Sequence, residues 1–194
     1  SPLAATTPAG GPARRSTSGR ARLAALLYSL AAGAYVLDRV TKLLVERHLQ
    51  GHPPIVLIPH VVQLVYTTNT GGAFSVLGGY PWVFFTASLA VSLAIVAASF
   101  RLRSVSSAVG LGLILGGALG NLTDRIVHGP GVSGQVTDFI DFHVWPVFNA
   151  ADSCIVIGAL VLIAAGLRRP TGRAVGEGPT GPGGSDAPAA PDAR

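Results

Sequence analysis

Two aspartates at the ends of apolar runs carry the first chemical signal in this chain. Asp124 lies in Gly120-Asn121-Leu122-Thr123-Asp124-Arg125, and Asp152 lies in Phe148-Asn149-Ala150-Ala151-Asp152-Ser153. A charge beside hydrocarbon is costly, so an ionisable residue there is a functional candidate by default. Two carboxylates brought together could share one proton and activate a water. Like charges at close range raise one pKa of the pair, so one acid stays protonated near neutral pH while the other acts as base. Asp152 falls where a helix would begin, and a capping role with a favourable dipole is its simpler reading. Asp124 falls toward a helix C-terminus, where negative charge is unfavourable and only the neighbouring Arg125 offsets it. The pair Asp124 and Asp152 is therefore the catalytic expectation.

Other polar residues could support such a pair. Asn121 and Asn149 each precede an aspartate by three residues, which places amide and carboxylate on one helical face. They could orient the carboxylates or bind a substrate backbone, and Arg125 could hold a substrate carbonyl or a lipid phosphate. Asp38 and Lys42, four apart, share a helix face and can pair. Asn69 opens Asn69-Thr70-Gly71-Gly72-Ala73-Phe74-Ser75. This is a turn by composition, but Gly71 would also let an extended peptide approach closely. Asp138, Asp141 and His143, with His128, could resemble metal ligands, but their spacing matches no zinc pattern. They read better as solvated loop residues beside Phe139 and Phe142. No Gly-x-Ser-x-Gly is present to support a serine nucleophile.

These residues must be positioned by membrane-spanning elements. The chain of 194 residues is 49% hydrophobic and 12% charged, with mean hydropathy +0.51. A soluble domain would carry about 25% charge. Four spans of near-bilayer length are expected. The first covers about 23–37 and continues as a more polar helix through Asp38, Lys42 and His48; the others cover 82–100, 106–122 and 150–167. The fold expected is an all-α membrane protein with four transmembrane helices. A small extracytoplasmic β-sheet is expected between the first two, because 55–58 and 61–66 are β-branched runs bounded by Pro59-His60 and by glycine pairs. Gly112, Gly116, Gly117 and Gly120 put small residues at helical spacing for close packing. Residues 1–19 and 168–194 are rich in Pro, Gly and Ala and read as disordered tails flanking a membrane domain at 20–167.

Charge sets orientation. Arg14, Arg15, Arg20 and Arg22 precede the first span, Arg101 and Arg103 join the second to the third, and Arg168, Arg169 and Arg173 follow the fourth. With an even number of spans these groups share one side, the cytoplasm by the positive-inside rule. Both termini are then cytoplasmic, and the polar constellation faces the other side. The net charge of +5 needs no nucleic-acid partner, because the arginines flank the spans without a basic, aromatic-interleaved stripe. The single cysteine, Cys154, excludes an internal disulfide and a multi-thiolate zinc site.

Taken together and in order, five segments resemble a known family. They are Asp38-Arg39-Val40-Thr41-Lys42, the run from Asn69 to Ser75, the run from Gly116 to Arg125, Val136-Thr137-Asp138-Phe139-Ile140-Asp141-Phe142, and the run from Phe148 to Ser153. The chain closely resembles the bacterial lipoprotein signal peptidases, signal peptidase II, over about 23–167. Thr123 departs from a more usual aliphatic residue and Gly72 from alanine. The resemblance implies an aspartic endopeptidase of the bacterial inner membrane, surrounded by membrane lipids, and nothing in the sequence demands more than a monomer. Its substrates would be prolipoproteins whose lipobox cysteine carries diacylglyceryl, cut just before that cysteine. It implies Asp124 and Asp152 as the dyad, Asn69, Asn121, Arg125 and Asn149 as substrate contacts, and Asp38, Lys42 and Gly71 as support. No metal or organic cofactor is implied, and cyclic-peptide inhibitors would bind the site.

A transporter or proton relay would put its acids near the bilayer midplane within repeated halves. Here they gather at one interface, and no inverted repeat is visible. A scaffold with a surface-lying sheet would leave the two Asn-x-x-Asp segments without a role.

Overall fold

The structure, a computed structural model, describes residues 15–70, 81–129, 131 and 134–168. Four helices and three strands follow in the order α1 (Arg15–Leu49), β1 (Ile55–Ile58), β2 (Val62–Asn69), α2 (Pro81–Ser99), α3 (Val105–Val127), β3 (Val136–Asp141) and α4 (Ala150–Leu167). All four helices are long and apolar enough to cross a membrane. At ~1.5 Å per residue α1 is roughly 50 Å long, well beyond a hydrocarbon core of about 30 Å. It begins at Arg15, inside the stretch expected as a tail, because a nucleated helix extends at the cost of one residue per added hydrogen bond. Gly71 and the glycine turns at 72, 78 and 79 lie outside the described residues, as do 1–14 and 169–194.

Helix α3 is the hub, packed against each of the other three. Its small residues permit this. A Cβ on Gly116 would meet Ala31 and Ala34 of α1, and one on Gly117 would meet the Ala151 carbonyl of α4. Leu27, Ala31, Ile95, Leu102, Ala108 and Leu115 form the apolar core between α1, α2 and α3. The outer face of α4 exposes Val156, Ile157, Leu160 and Ile163. In water such a face would be a liability, whereas in lipid it needs no cover. Ser104 caps α3 by accepting from the Ser107 N–H at 3.1 Å. Asn149 and Asp152 cap α4 reciprocally as a capping box.

The sheet is antiparallel in the order β1-β2-β3. Two strands arise between α1 and α2 as expected, but the third comes from the α3–α4 connection. Asp138 and Asp141, expected as solvated loop residues, lie on this strand. Its Val, Thr, Phe and Ile favour a pleated surface, and pairing with β2 decides the matter, with Thr67 opposite Asp138 and Asn69 opposite Val136. Because helices alternate in direction, both connections lie at one end of the bundle. The sheet seats there on Val45 and Leu49 of α1 through Phe139.

Candidate active site

Side chains from five elements meet under the sheet. Helix α1 supplies Asp38, Arg39 and Lys42, and α3 supplies Asn121, Asp124 and Arg125. Asn69 comes from β2, Asp138 from β3, and Asn149 and Asp152 from the start of α4. Asp38, Lys42, Asp124 and Asn149 are all fully buried. A buried ion is tolerated only when paired and hydrogen-bonded, so the partners of each decide what it can do.

The first group is a closed ion cluster. Lys42 Nζ lies 2.8 Å from Asp38 Oδ2 and 2.8 Å from Asp124 Oδ2, and it donates to Asn121 Oδ1 at 3.0 Å. Three oxygens thus meet the three donors of one ammonium. Asp38 Oδ1 accepts from the Ala151 N–H at 3.0 Å, which ties α1 to the first turn of α4. Asp124 Oδ1 accepts from Arg39, and its Oδ2 also accepts from the Thr137 N–H at 3.2 Å. Two anions and two cations sum to zero. Gly120 makes room for this cluster, since a Cβ there would run into the Asp38 carboxylate.

The second group is different. Asp138, 3% exposed, accepts from Asn149 Nδ2 at 2.6 Å on one oxygen and from Asn69 Nδ2 at 3.2 Å on the other. Asp152 accepts from Asn121 Nδ2 at 2.8 Å and from the Asn149 N–H at 3.3 Å. Asn149 therefore bridges the two acids. Burial first, and the nearby charge of Asp152 second, push the Asp138 carboxyl up to about 7. No cation is hydrogen-bonded or ion-paired to either acid among the described residues. A cavity of about 340 Å³ opens beside them, lined among others by Asn69, Phe84, Asn121, Arg125, Asp138 and Asp152. Asp124 is not among its lining residues.

Arg125 closes one wall. It stacks over the Phe84 ring at 5.7 Å and donates through Nη1 to the Asn121 carbonyl at 3.1 Å. Its buried Nε has no hydrogen-bond partner among the described residues, which leaves a donor beside the cavity. A second, almost wholly apolar groove of about 480 Å³ starts at Asp152 and runs along Phe142, Trp145, Phe148, Val156 and Ile157. Among the described residues no three His, Cys, Asp or Glu side chains are grouped to hold a metal. Asp141 instead accepts from Gln63 Nε2 at 2.7 Å and from the His143 N–H at 2.7 Å. These bonds, the Gln63 one foremost, hold its carboxyl below the usual carboxylate range.

The sequence pattern of the signal peptidase (SPase) II family matches residues 30–168, which contain every side chain of this site. The chain belongs to the signal peptidase II family. It is 42% identical over 167 residues to the lipoprotein signal peptidase of Mycolicibacterium smegmatis, spanning 86% of this chain and 71% of the relative. The corresponding protein of Mycobacterium avium is 41% identical over 163 residues, spanning 84% of this chain and 85% of its own. Two solved structures of bacterial membrane enzymes, obtained by the in meso method, share the fold. One has a TM-score of 0.66 and 27% identity, covering 79% of this chain and 94% of its own. The other has a TM-score of 0.64 and 29% identity, covering 74% and 93%. Signal peptidase II is a peptidase, and its apolar helices make this member a multi-pass membrane protein.

For this signal peptidase, the residues singled out from sequence do gather at one end of the bundle, but in two clusters. Asp152, Asn121, Asn149, Asn69 and Arg125 surround the cavity or its acids. Asp38, Lys42 and Asp124 form the buried ion cluster beside it. Asp138, read from sequence as a loop residue, lies at the cavity, and Arg39 and Thr137, which had no expected role, bond Asp124. The signal for Asp138 was the β-rich run Val136-Thr137-Asp138-Phe139-Ile140, in which one acid among large apolar residues marks a half-buried strand with a polar purpose.

Proposed function

We propose that this signal peptidase is an aspartic endopeptidase that removes signal peptides from diacylglyceryl-modified prolipoproteins, cutting just before the lipidated cysteine, with Asp138 and Asp152 as its catalytic pair. The observation that carries this is charge balance. Asp124 is fully buried, is already matched by Arg39 and Lys42, and does not line the cavity. Asp138 and Asp152 share a cavity and the Asn149 bridge, and Asp138 holds its proton to about pH 7. With one proton between them, the pair carries a single negative charge, which Arg125 can balance. The pairing of Asp124 with Asp152 expected from sequence is less well supported, because Asp124 is paired with two cations and does not line the cavity.

The chemistry follows from the protonation states. Ionised Asp152 takes a proton from a water lying between the acids, and protonated Asp138 donates a hydrogen bond to the scissile carbonyl oxygen. The water oxygen bonds to the carbonyl carbon, and the developing oxyanion takes the Asp138 proton. Collapse of the tetrahedral intermediate breaks the C–N bond, returns the hydroxyl proton to Asp138, and passes the proton on Asp152 to the leaving amine. Both acids regain their starting states. Asn121 and Asn149 hold the carboxylates in place, while Asn69 and the spare Arg125 N–H can meet the peptide backbone. The apolar groove beside Asp152 suits a substrate that carries acyl chains.

Orientation follows from the flanking arginines: both termini are cytoplasmic and the site opens at the extracytoplasmic face of the bacterial cytoplasmic membrane. The test is cleavage of a lipidated prolipoprotein in detergent, read as a gel shift. Asp138→Asn and Asp152→Asn each lose turnover by at least about 100-fold, the low end for a general acid or base. Full turnover by either folded variant refutes the pair.

A further inference from the structure

Thr137 precedes Asp138 on β3 and is 1% exposed. Its three polar groups tie to three different helices. The N–H donates to Asp124 Oδ2 of α3 at 3.2 Å, and the carbonyl accepts from Asn149 Nδ2, the cap of α4, at 3.3 Å. The hydroxyl donates to Glu46 Oε1 of α1 at 2.8 Å. The first two bonds use backbone atoms and need no particular side chain at 137. The third needs a hydroxyl here and an acceptor on α1, and neither residue has a role in the chemistry described above.

Glu46 lies one helical turn beyond Lys42 on the same face of α1. Besides Thr137 it faces His128 at the end of α3, with Nε2 at 3.6 Å, and the Tyr66 hydroxyl of β2, whose proton is held more tightly by burial and then by the Glu46 charge. Hydrogen bonds to a carboxylate are roughly twice as strong as neutral ones, so this contact is a firm bolt between α1 and β3. It acts one residue from an acid whose two oxygens are set by bonds of 2.6 and 3.2 Å. The pairing of β3 with β2 is irregular between Leu64 and Thr67, immediately beyond Asp138, so the ladder alone does not fix this acid from both sides.

We propose that Thr137, gripped by Glu46, is a positioning residue for hydrolysis: it fixes the β3 backbone so that the Asp138 carboxyl stays buried against Asp152. The inference rests on the reading of Asp138 as one half of the catalytic pair. Without the bolt, β3 relaxes from α1 and water gains access to Asp138. The charged groups facing that carboxyl are Asp152 of α4, Lys42 of α1, and Arg125 of α3, and none of them changes. Burial of the carboxyl is what weakens, so the proton is released at lower pH and the alkaline limb of turnover shifts downward.

The full chain, in detergent with a lipidated prolipoprotein, provides the test. Thr137→Val keeps the branched shape and loses the hydroxyl. Glu46→Leu removes the acceptor at a partly exposed position, and serves if Thr137→Val does not fold. Both lower kcat by about 10-fold or more, as a small misplacement of a reacting group does. KM stays within about 2-fold and the alkaline limb drops by at least roughly half a pH unit. Thr137→Ser and Glu46→Gln restore most of kcat, because a hydroxyl and a carbonyl oxygen remain. Wild-type kcat and limb in a folded Thr137→Val or Glu46→Leu overturn the inference. So does a loss confined to KM, or one that neither conservative variant restores. Asp138→Asn run alongside separates the two readings. If it turns over normally, the pair itself is wrong; if it is inactive while Thr137→Val is normal, only the positioning role falls.

Discussion

Replacing Asp138 by asparagine removes a buried carboxyl whose proton affinity is raised from 3.8 to about 7. The sign follows from linkage: the native state binds this proton more tightly than the unfolded chain does. The group therefore lowers native stability progressively as pH rises from about 4 through 7, and the loss is complete above that. A shift of about three units corresponds to roughly 4 kcal/mol, at 1.36 kcal/mol per unit. Asparagine carries no charge to desolvate, so the variant escapes this loss. It retains one oxygen for Asn149 but turns an amide toward Asn69, a mismatch worth about 1–3 kcal/mol. The net expectation is a variant more stable than the parent by about 1–3 kcal/mol at pH 8, or roughly 2–12 °C in Tm. At pH 5 it is no more stable than the parent, or slightly less. Thermal unfolding in detergent at both pH values reads the difference. A Tm difference that does not change with pH refutes the reasoning, since the carboxyl would then titrate alike in native and unfolded chains.

Asp124→Asn acts in the opposite direction, leaving Lys42 and Arg39 short of a counter-charge in a buried site. A cost of about 3–5 kcal/mol is expected, visible as a lowered Tm and poor accumulation in membranes, and adding Lys42→Met recovers part of it. Gly120→Ala drives a methyl into the Asp38 carboxylate and loosens its bonds to Lys42 and Ala151. An overpacking cost of about 1–3 kcal/mol follows, and a Tm equal to the parent's would show that α1 and α3 are not in close contact there.

Much of the bundle was legible because lipid demands unbroken apolar helices. The span expected at 150–167 coincides with α4 (Ala150–Leu167), since Asn149 and Asp152 announce its start locally. The third span ran past its expected end at 122 to Val127, because Asp124 and Arg125 read as the end of an apolar stretch although both are buried. What satisfies Asp124 lies on α1, at Arg39 and Lys42, some eighty residues earlier in the chain, while Arg125 rests on the Asn121 carbonyl and the Phe84 ring. That distance also explains the assignment of the pair. Asp124 was favoured because a carboxylate at a helix C-terminus lacked a local partner, and the structure supplies non-local ones in Arg39 and Lys42. Asp138 was set aside because an acid flanked by Asp141 and His143 resembles a solvated loop. Only the pairing of β2 with β3, which sets Asn69 diagonally across from it, turns that segment into the wall of a cavity. The Asn-x-x-Asp spacing, by contrast, held its meaning: Asn121 and Asn149 both contact Asp152.

The central claim, that hydrolysis is carried by Asp138 with Asp152 while Asp124 serves as a buried counterion, is tested most directly by turnover per folded molecule. Asp138→Asn and Asp124→Asn are purified in the same detergent, and the folded fraction of each is measured before cleavage of a lipidated prolipoprotein is followed. Asp138→Asn is expected to be folded yet at least about 100-fold slower. Asp124→Asn is expected to yield little folded protein, whose folded fraction retains measurable turnover. A folded, stable and inactive Asp124→Asn beside an active Asp138→Asn would contradict that claim.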